Sequence, residues 1–169
     1  QALISGLLSA GYKKNLIEFI DRNKINSRKT KKLGATKTNL KNIDTKSIIF
    51  LGVKPKDAMN AYTEICAVMK KPKIVSLVAG IKSNKYLSEF QDIELIRAMP
   101  NTSSEFNKGI TAICNCNANK TTFNQVSSIF KKVGTTIDIT KENQIDDFTG
   151  LIGSGPAYFF YLLKVYEKR

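Results

Sequence analysis

Apolar residues in this chain fall into short continuous runs separated by stretches in which they recur every third or fourth position. The runs are LIEFI (16–20), SIIFLGV (47–53), KIVSLV (73–78), IELIRAM (93–99), GITAIC (109–114) and TTIDI (135–139). Strands buried on both faces read as such runs, whereas half-exposed strands alternate. The intervening periodicity predicts helices over 2–10, 23–33, 57–70, 83–90 and 121–132, with Gly11, Gly34 and Gly134 as stops. Strand and helix therefore alternate along the chain. That pattern predicts an α/β fold with a mainly parallel sheet and helices on both faces.

After Ile139 the character changes. TKENQIDDFTG reads as helical, a Gly/Pro turn follows, and AYFFYLLKVYEKR closes the chain. In that last helix Ala157, Phe159, Phe160, Leu162, Leu163, Val165 and Tyr166 cover most of the surface, so it is expected to bury itself against something outside these residues. Residues 1–147 read as one domain and residues 148–169 as the start of a second, helical one. In GLIGSGP, Gly153 and Gly155 fit two readings: backbone freedom ahead of Pro156, which suits the first turn of a helix, or bare backbone for a ligand.

Composition narrows the function. Of 169 residues, 42% are hydrophobic, enough for one sizeable core. No stretch approaches the ~20 apolar residues of a membrane span, and QALISGLLSAGYKK lacks the pattern of a signal peptide. A cytoplasmic protein without a membrane partner is expected. The chain opens in mid-helix without Met, so further sequence is expected upstream. The net charge of +13, from 27 Lys and Arg against 14 Asp and Glu, favours anionic partners. Because the lysines are scattered over every element, a phosphate-bearing small ligand is expected rather than nucleic acid. Cys66, Cys114 and Cys116 are an odd set, and with no histidine and no second Cys pair a metal site is not expected.

Ligands of open parallel sheets sit outside the carboxyl ends of the strands. The residues there are Asp21-Arg22, Val53-Lys54-Pro55, Ala79-Gly80-Ile81 and Met99-Pro100-Asn101-Thr102. An acid after a strand can bind ribose hydroxyls of a dinucleotide, and an arginine can pair with a 2′-phosphate. Asp21 and Arg22 equally fit a helix N-cap with a solvated neighbour. Lys54-Pro55 equally fits a stiff turn.

The ordered set VKP (53–55), AGI (79–81), RAMPNT (97–102), KGIT (108–111) and GSGPAY (153–158) closely resembles pyrroline-5-carboxylate reductase, the last enzyme of proline biosynthesis. The resemblance covers essentially the whole chain, with QALISGLL, FKKVG and DDFTG adding to it. It implies a Rossmann-type, doubly wound domain that binds NADPH or NADH, followed by an all-helical dimerisation domain. It implies reduction of the C=N bond of 1-pyrroline-5-carboxylate to L-proline by a homodimer or higher homo-oligomer. By motif, Asp21 and Arg22 would face the adenosine ribose and Asn39 the adenine side. Val53, Lys54 and Pro55 would border the cofactor, with Ala79, Gly80, Met99, Pro100 and Asn101 toward the nicotinamide. Gly153, Ser154 and Gly155 would form a hinge beside the substrate pocket, and Phe159, Phe160 and Leu163 would pack in the dimer interface.

The family's first strand and glycine loop do not appear in the sequence and are expected before Gln1, with residues 2–10 forming the helix whose start holds the pyrophosphate. The later helices that carry the substrate carboxylate site are absent as well, so no catalytic residue is identified. Alternatives are a related imine or enamine reductase and a non-catalytic paralogue that keeps the fold. Asp21 argues for NADH and Arg22 for NADPH, with NADPH favoured.

Overall fold

The structure, a computed structural model, describes residues 1–167. Its helices are α1 (Ala2–Ser9), α2 (Lys24–Lys32), α3 (Pro55–Val68), α4 (Ser83–Leu87), α5 (Lys120–Lys131), α6 (Gln144–Phe148) and α7 (Gly155–Tyr166). Its strands are β1 (Glu18–Phe19), β2 (Thr36–Lys37), β3 (Ile48–Leu51), β4 (Lys73–Ser76), β5 (Glu94–Pro100), β6 (Gly109–Asn115) and β7 (Gly134–Asp138). All six predicted strands form. The helix expected over 83–90 is shorter, and the one expected from 57 starts at Pro55, whose fixed φ suits a first turn.

Side chains of successive strand residues point to opposite faces, which explains the continuous apolar runs. Val75 and Ile96 join Leu7, Phe130 and Val133 in a core beneath α1 and α5. Their neighbours Ile74 and Leu95 join Ala58, Tyr62, Ile65 and Tyr86 in a core beneath α3 and α4. Both faces of the central strands are thus covered, as in a doubly wound sheet. Tyr62 and Tyr86 are fully buried polar side chains; Tyr62 donates to the Tyr86 carbonyl at 2.9 Å, and the Tyr86 and Ser76 hydroxyls are 3.0 Å apart.

The main sheet runs β3-β4-β5-β6-β7. β3, β4 and β5 are parallel, β6 is antiparallel to β5, and β7 is parallel to β6. The reversal follows from the connection over residues 101–108, which is too short for the crossover a parallel return requires. β1 and β2 form a separate parallel pair. Even so, Ile17 and Phe19 of that region share the first core with Ile48 and Phe50 of β3.

Two glycines set the start of β6 and β7. A Cβ on Gly134, where φ is +149°, would lie 2.0 Å from the Gly109 carbonyl oxygen, and one on Gly109 would lie 2.3 Å from the Ser104 hydroxyl. Backbones approach here as no side chain allows.

Beyond β7 the expected Gly/Pro turn does not occur. α6 continues through a π-helical segment, Thr149–Ser154, directly into α7. Glycine weakens a helix interior only by about 1 kcal/mol relative to alanine, so these residues can stay helical, and Pro156 falls in the first turn of α7 as expected. Among the described residues α7 leaves its aromatic surface uncovered, with Tyr158 74% and Tyr161 72% exposed.

The segment leading into α6 is held to the sheet by a buried charge. Arg97 of β5 is 1% exposed. Its Nη1 donates to Glu142 Oε1 at 2.8 Å, and its Nη2 lies 3.8 Å from Asp146 Oδ1, a charge contact too long for a hydrogen bond. Glu142 also accepts from the Ser83 hydroxyl at 2.8 Å and from the Ser83 backbone N–H. Burial alone would raise the Glu142 pKa, but the hydrogen bonds from Arg97 and Ser83 outweigh it and hold the carboxyl below its usual range.

Gly134→Ala should cost about 2–4 kcal/mol in urea unfolding because backbone must move. Gly11→Ala, with positive φ but open space around it, should cost only about 1–2 kcal/mol; equal losses would show that crowding at Gly134 is relieved cheaply. Glu142→Gln should cost about 2–3 kcal/mol near neutral pH, since it leaves Arg97 buried without its carboxylate. The folded carboxyl has a lowered pKa, so the pair contributes fully above the ordinary value of 4.5 and is lost as pH falls through the folded one. The gap between wild type and variant should therefore be constant from about pH 6 to 8 and narrow as pH falls below 4.5; a gap that does not narrow in acid would rule out the ion pair as its source.

Candidate functional site

The carboxyl ends of β3, β4 and β5 share one edge of the sheet because these strands are parallel and in register. The amino ends of β6 and β7 lie at that edge too, as Pro100 pairs with Thr111. The start of α1 opens onto it. A cavity of about 210 Å³ lies between Gln1, Ala2 and Leu3 of that start, Leu77 beyond β4, and Pro100, Asn101, Thr102 and Ser104 beyond β5. No acidic side chain occupies the first turn of α1.

The predicted site residues lie beyond the strands as follows. Beyond β1, Asp21 is half-buried and its carboxylate accepts the Asn23 N–H at 2.8 Å. The N-cap of α2 is Asn23, whose side chain accepts from Ile25 and Asn26, so the capping alternative for Asp21 does not hold. Arg22 is exposed, and its Nη2 donates to both carboxylate oxygens of Glu64 in α3, at 2.5 and 2.6 Å. Asn39 is exposed at the start of a short 3₁₀ turn beyond β2 and accepts the Lys41 N–H at 3.1 Å.

Beyond β3, Val53, Lys54 and Pro55 are exposed, and Lys54 makes no ion pair among the described residues. Beyond β4, Ala79 is half-buried. Gly80 has φ +73° and open space beside its Cα. Beyond β5, Pro100 and Asn101 line the cavity, and Asn101 Oδ1 accepts the Ile110 N–H at 3.0 Å, which locks the turn. Met99 lies near the end of β5. Its side chain is 9% exposed and packs with Ala112, Cys114 and Ile145, because strand alternation turns it into the core. Only its backbone can face a ligand.

Gly153 and Ser154 lie on the π-helical segment and Gly155 opens α7; none of the three borders this cavity or the larger cleft described next. That cleft, of about 580 Å³, lies at the opposite edge of the sheet, between Cys66, Lys70, Lys71 and the residues preceding β5. Burial pushes the Cys66 thiol up and that of Cys116 up to about 12, so neither is poised as a nucleophile. Among the described residues no group of three or more His, Cys, Asp or Glu is placed to hold a metal ion, and no helix is long and apolar enough to cross a membrane.

Sequence reasoning missed Glu64 and Glu142. The partner of Arg22 lies 42 positions away and that of Arg97 lies 45 positions away, and no spacing rule connects residues across a sheet edge.

Comparison with known proteins bears on the same residues. The family described as NADP oxidoreductase coenzyme F420-dependent matches residues 1–80. Pyrroline-5-carboxylate reductase 1 of Bacillus subtilis (strain 168) is 35% identical over 135 residues, covering 75% of this chain and 43% of the relative. The structure of a pyrroline-5-carboxylate reductase from Coxiella burnetii superposes with a TM-score of 0.82 at 29% identity, over 97% of this chain and 63% of the other. That of the Plasmodium falciparum pyrroline carboxylate reductase, solved with NADP bound, gives 0.79 at 24% identity over 97% of this chain and 62% of the other, a likeness of fold. The chain spans about half the length of the first curated relatives it matches. The fold is the Rossmann-type one expected, and over the residues it spans the chain belongs to the pyrroline-5-carboxylate reductase family.

Proposed function

We propose that these residues form the cofactor-binding part of an enzyme that reduces 1-pyrroline-5-carboxylate to L-proline with NADPH, or with NADH. The observation that carries this reading is that Lys54, Gly80, Pro100 and Asn101 all follow the carboxyl ends of the parallel strands β3, β4 and β5, in a chain 35% identical to a pyrroline-5-carboxylate reductase. Residues 1–147 would be the dinucleotide-binding domain and residues 148–169 the first segment of a helical domain. A parallel strand between β1 and β3 would unite the two separate ladders around their shared core, which supports a glycine-loop strand in the parent protein.

In this reading each group has a physical task. The start of α1 and Lys54 favour the phosphates electrostatically. Asp21 accepts from ribose hydroxyls, Arg22 pairs with a 2′-phosphate, and Asn39 borders the adenine side. Val53 and Pro55 offer apolar contact along the dinucleotide, while Ala79, open Gly80 and the backbone of the Met99-Pro100-Asn101 turn leave room for the nicotinamide. The nicotinamide supplies a hydride when bound. The protonated imine is already electrophilic, so the protein's main task is to hold the two rings in register. Gly153, Ser154 and Gly155 would approach the substrate through backbone, and the uncovered aromatic face of α7, with Phe159, Phe160 and Leu163, would be covered in a homodimer of a cytoplasmic enzyme.

The test is oxidation of NADPH and NADH by the full-length parent protein in the presence of 1-pyrroline-5-carboxylate. Proline formation is expected, faster with NADPH. Folded, full-length protein that consumes neither cofactor would reduce the reading to a fold retained without this activity.

A further inference from the structure

Glu64 stands out because it opposes the charge logic of the site. The chain carries 27 basic and 14 acidic residues, and anion binding at this edge would be served best by a free Arg22. Instead the Arg22 Nη2 is shared between both oxygens of Glu64. Asp57 lies two helical turns earlier on the same side of α3 and adds to the negative field at the guanidinium, which the Glu64 hydrogen bond, above all, keeps firmly protonated. Nothing in the fold requires this pair. The Arg22 side chain is 80% exposed and that of Glu64 45%, and ion pairs so exposed contribute little to stability.

The consequence concerns the 2′ position of an adenosine bound beside Arg22. A 2′-phosphate brings about 1.5 to 2 negative charges; it must share the guanidinium with Glu64 or displace it, and it meets two carboxylates of like sign on α3. A free 2′-hydroxyl meets no such cost. We propose that Glu64, acting through Arg22, is a positioning residue that sets the balance between the two nicotinamide cofactors by competing with the 2′-phosphate for the guanidinium. This rests on the dinucleotide reading above, and it makes Arg22 a weaker selector of the phosphate than its place in the sequence suggests.

Binding of two cofactor fragments, 2′,5′-ADP and 5′-AMP, to the full-length protein tests it by calorimetry at low salt, separately from activity. Glu64→Gln should tighten 2′,5′-ADP about two- to fivefold, the range an exposed pair allows, and leave 5′-AMP unchanged. Arg22→Gln should weaken 2′,5′-ADP, and in the double variant the Glu64→Gln gain should vanish. An unchanged ratio of the two affinities in Glu64→Gln, or an equal loss of both, would overturn the role of Glu64 while leaving the nucleotide site intact. Wild-type protein that binds neither fragment would overturn the dinucleotide reading and this inference together.

Discussion

Covering both faces of β4 and β5 is the constraint on which the rest of the molecule depends. Val75 and Ile96 face one core, Ile74 and Leu95 the other, and a strand so enclosed can satisfy its backbone only by pairing on both sides. Helices must therefore lie above and below the sheet, and the connections from β3 to β4 and from β4 to β5 return the chain to the amino ends of those strands. At their carboxyl ends the chain turns back only through the short 101–108 connection into β6. Residues there owe little to the core, so Lys54, Gly80 and Asn101 are available for a ligand while their neighbours one or two positions earlier are fixed by packing.

That division explains what the sequence disclosed. Buried strands announce themselves by unbroken apolar runs, and all six were legible. β2 was not: Thr36 and Lys37 are two exposed polar residues whose pairing with β1 leaves no trace in hydropathy. The antiparallel entry of β6 lay in the length of the 101–108 connection rather than in any motif. Met99 shows what a motif read as a string leaves out, the alternation that sends its side chain inward and leaves Pro100 at the cavity. The glycines at 150, 153 and 155 read as a turn by composition, yet composition cannot weigh a modest helical penalty against the continuity of α6 and α7.

Charge is where sequence reading is weakest, since both informative ion pairs link residues more than forty positions apart. They differ in kind. Arg97 is enclosed, and replacing it by an apolar side chain of similar volume could even be stabilising in a core of this type. What it supplies is a fixed place for the segment at 142–146 where the chain leaves the sheet. Glu142 reaches both Arg97 in β5 and Ser83 at the start of α4, so the departure of the chain is tied to the strand whose end forms the cavity.

Arg22 and Glu64 form the opposite case. An exposed bridge contributes little to the fold, and its weakness is what makes it usable, because a ligand with a comparable charge can break it at small cost. A buried pair in the same position would exclude the ligand or demand unfolding of the site. Selection between two cofactors that differ by a single phosphate needs only a modest free-energy difference, the scale that a solvent-facing carboxylate on a neighbouring helix can set. The molecule thus places its enclosed electrostatic contact where the chain leaves the sheet, and its weak one on the solvent-facing side of α3, where in the proposed reading a ligand's phosphate exchanges with it.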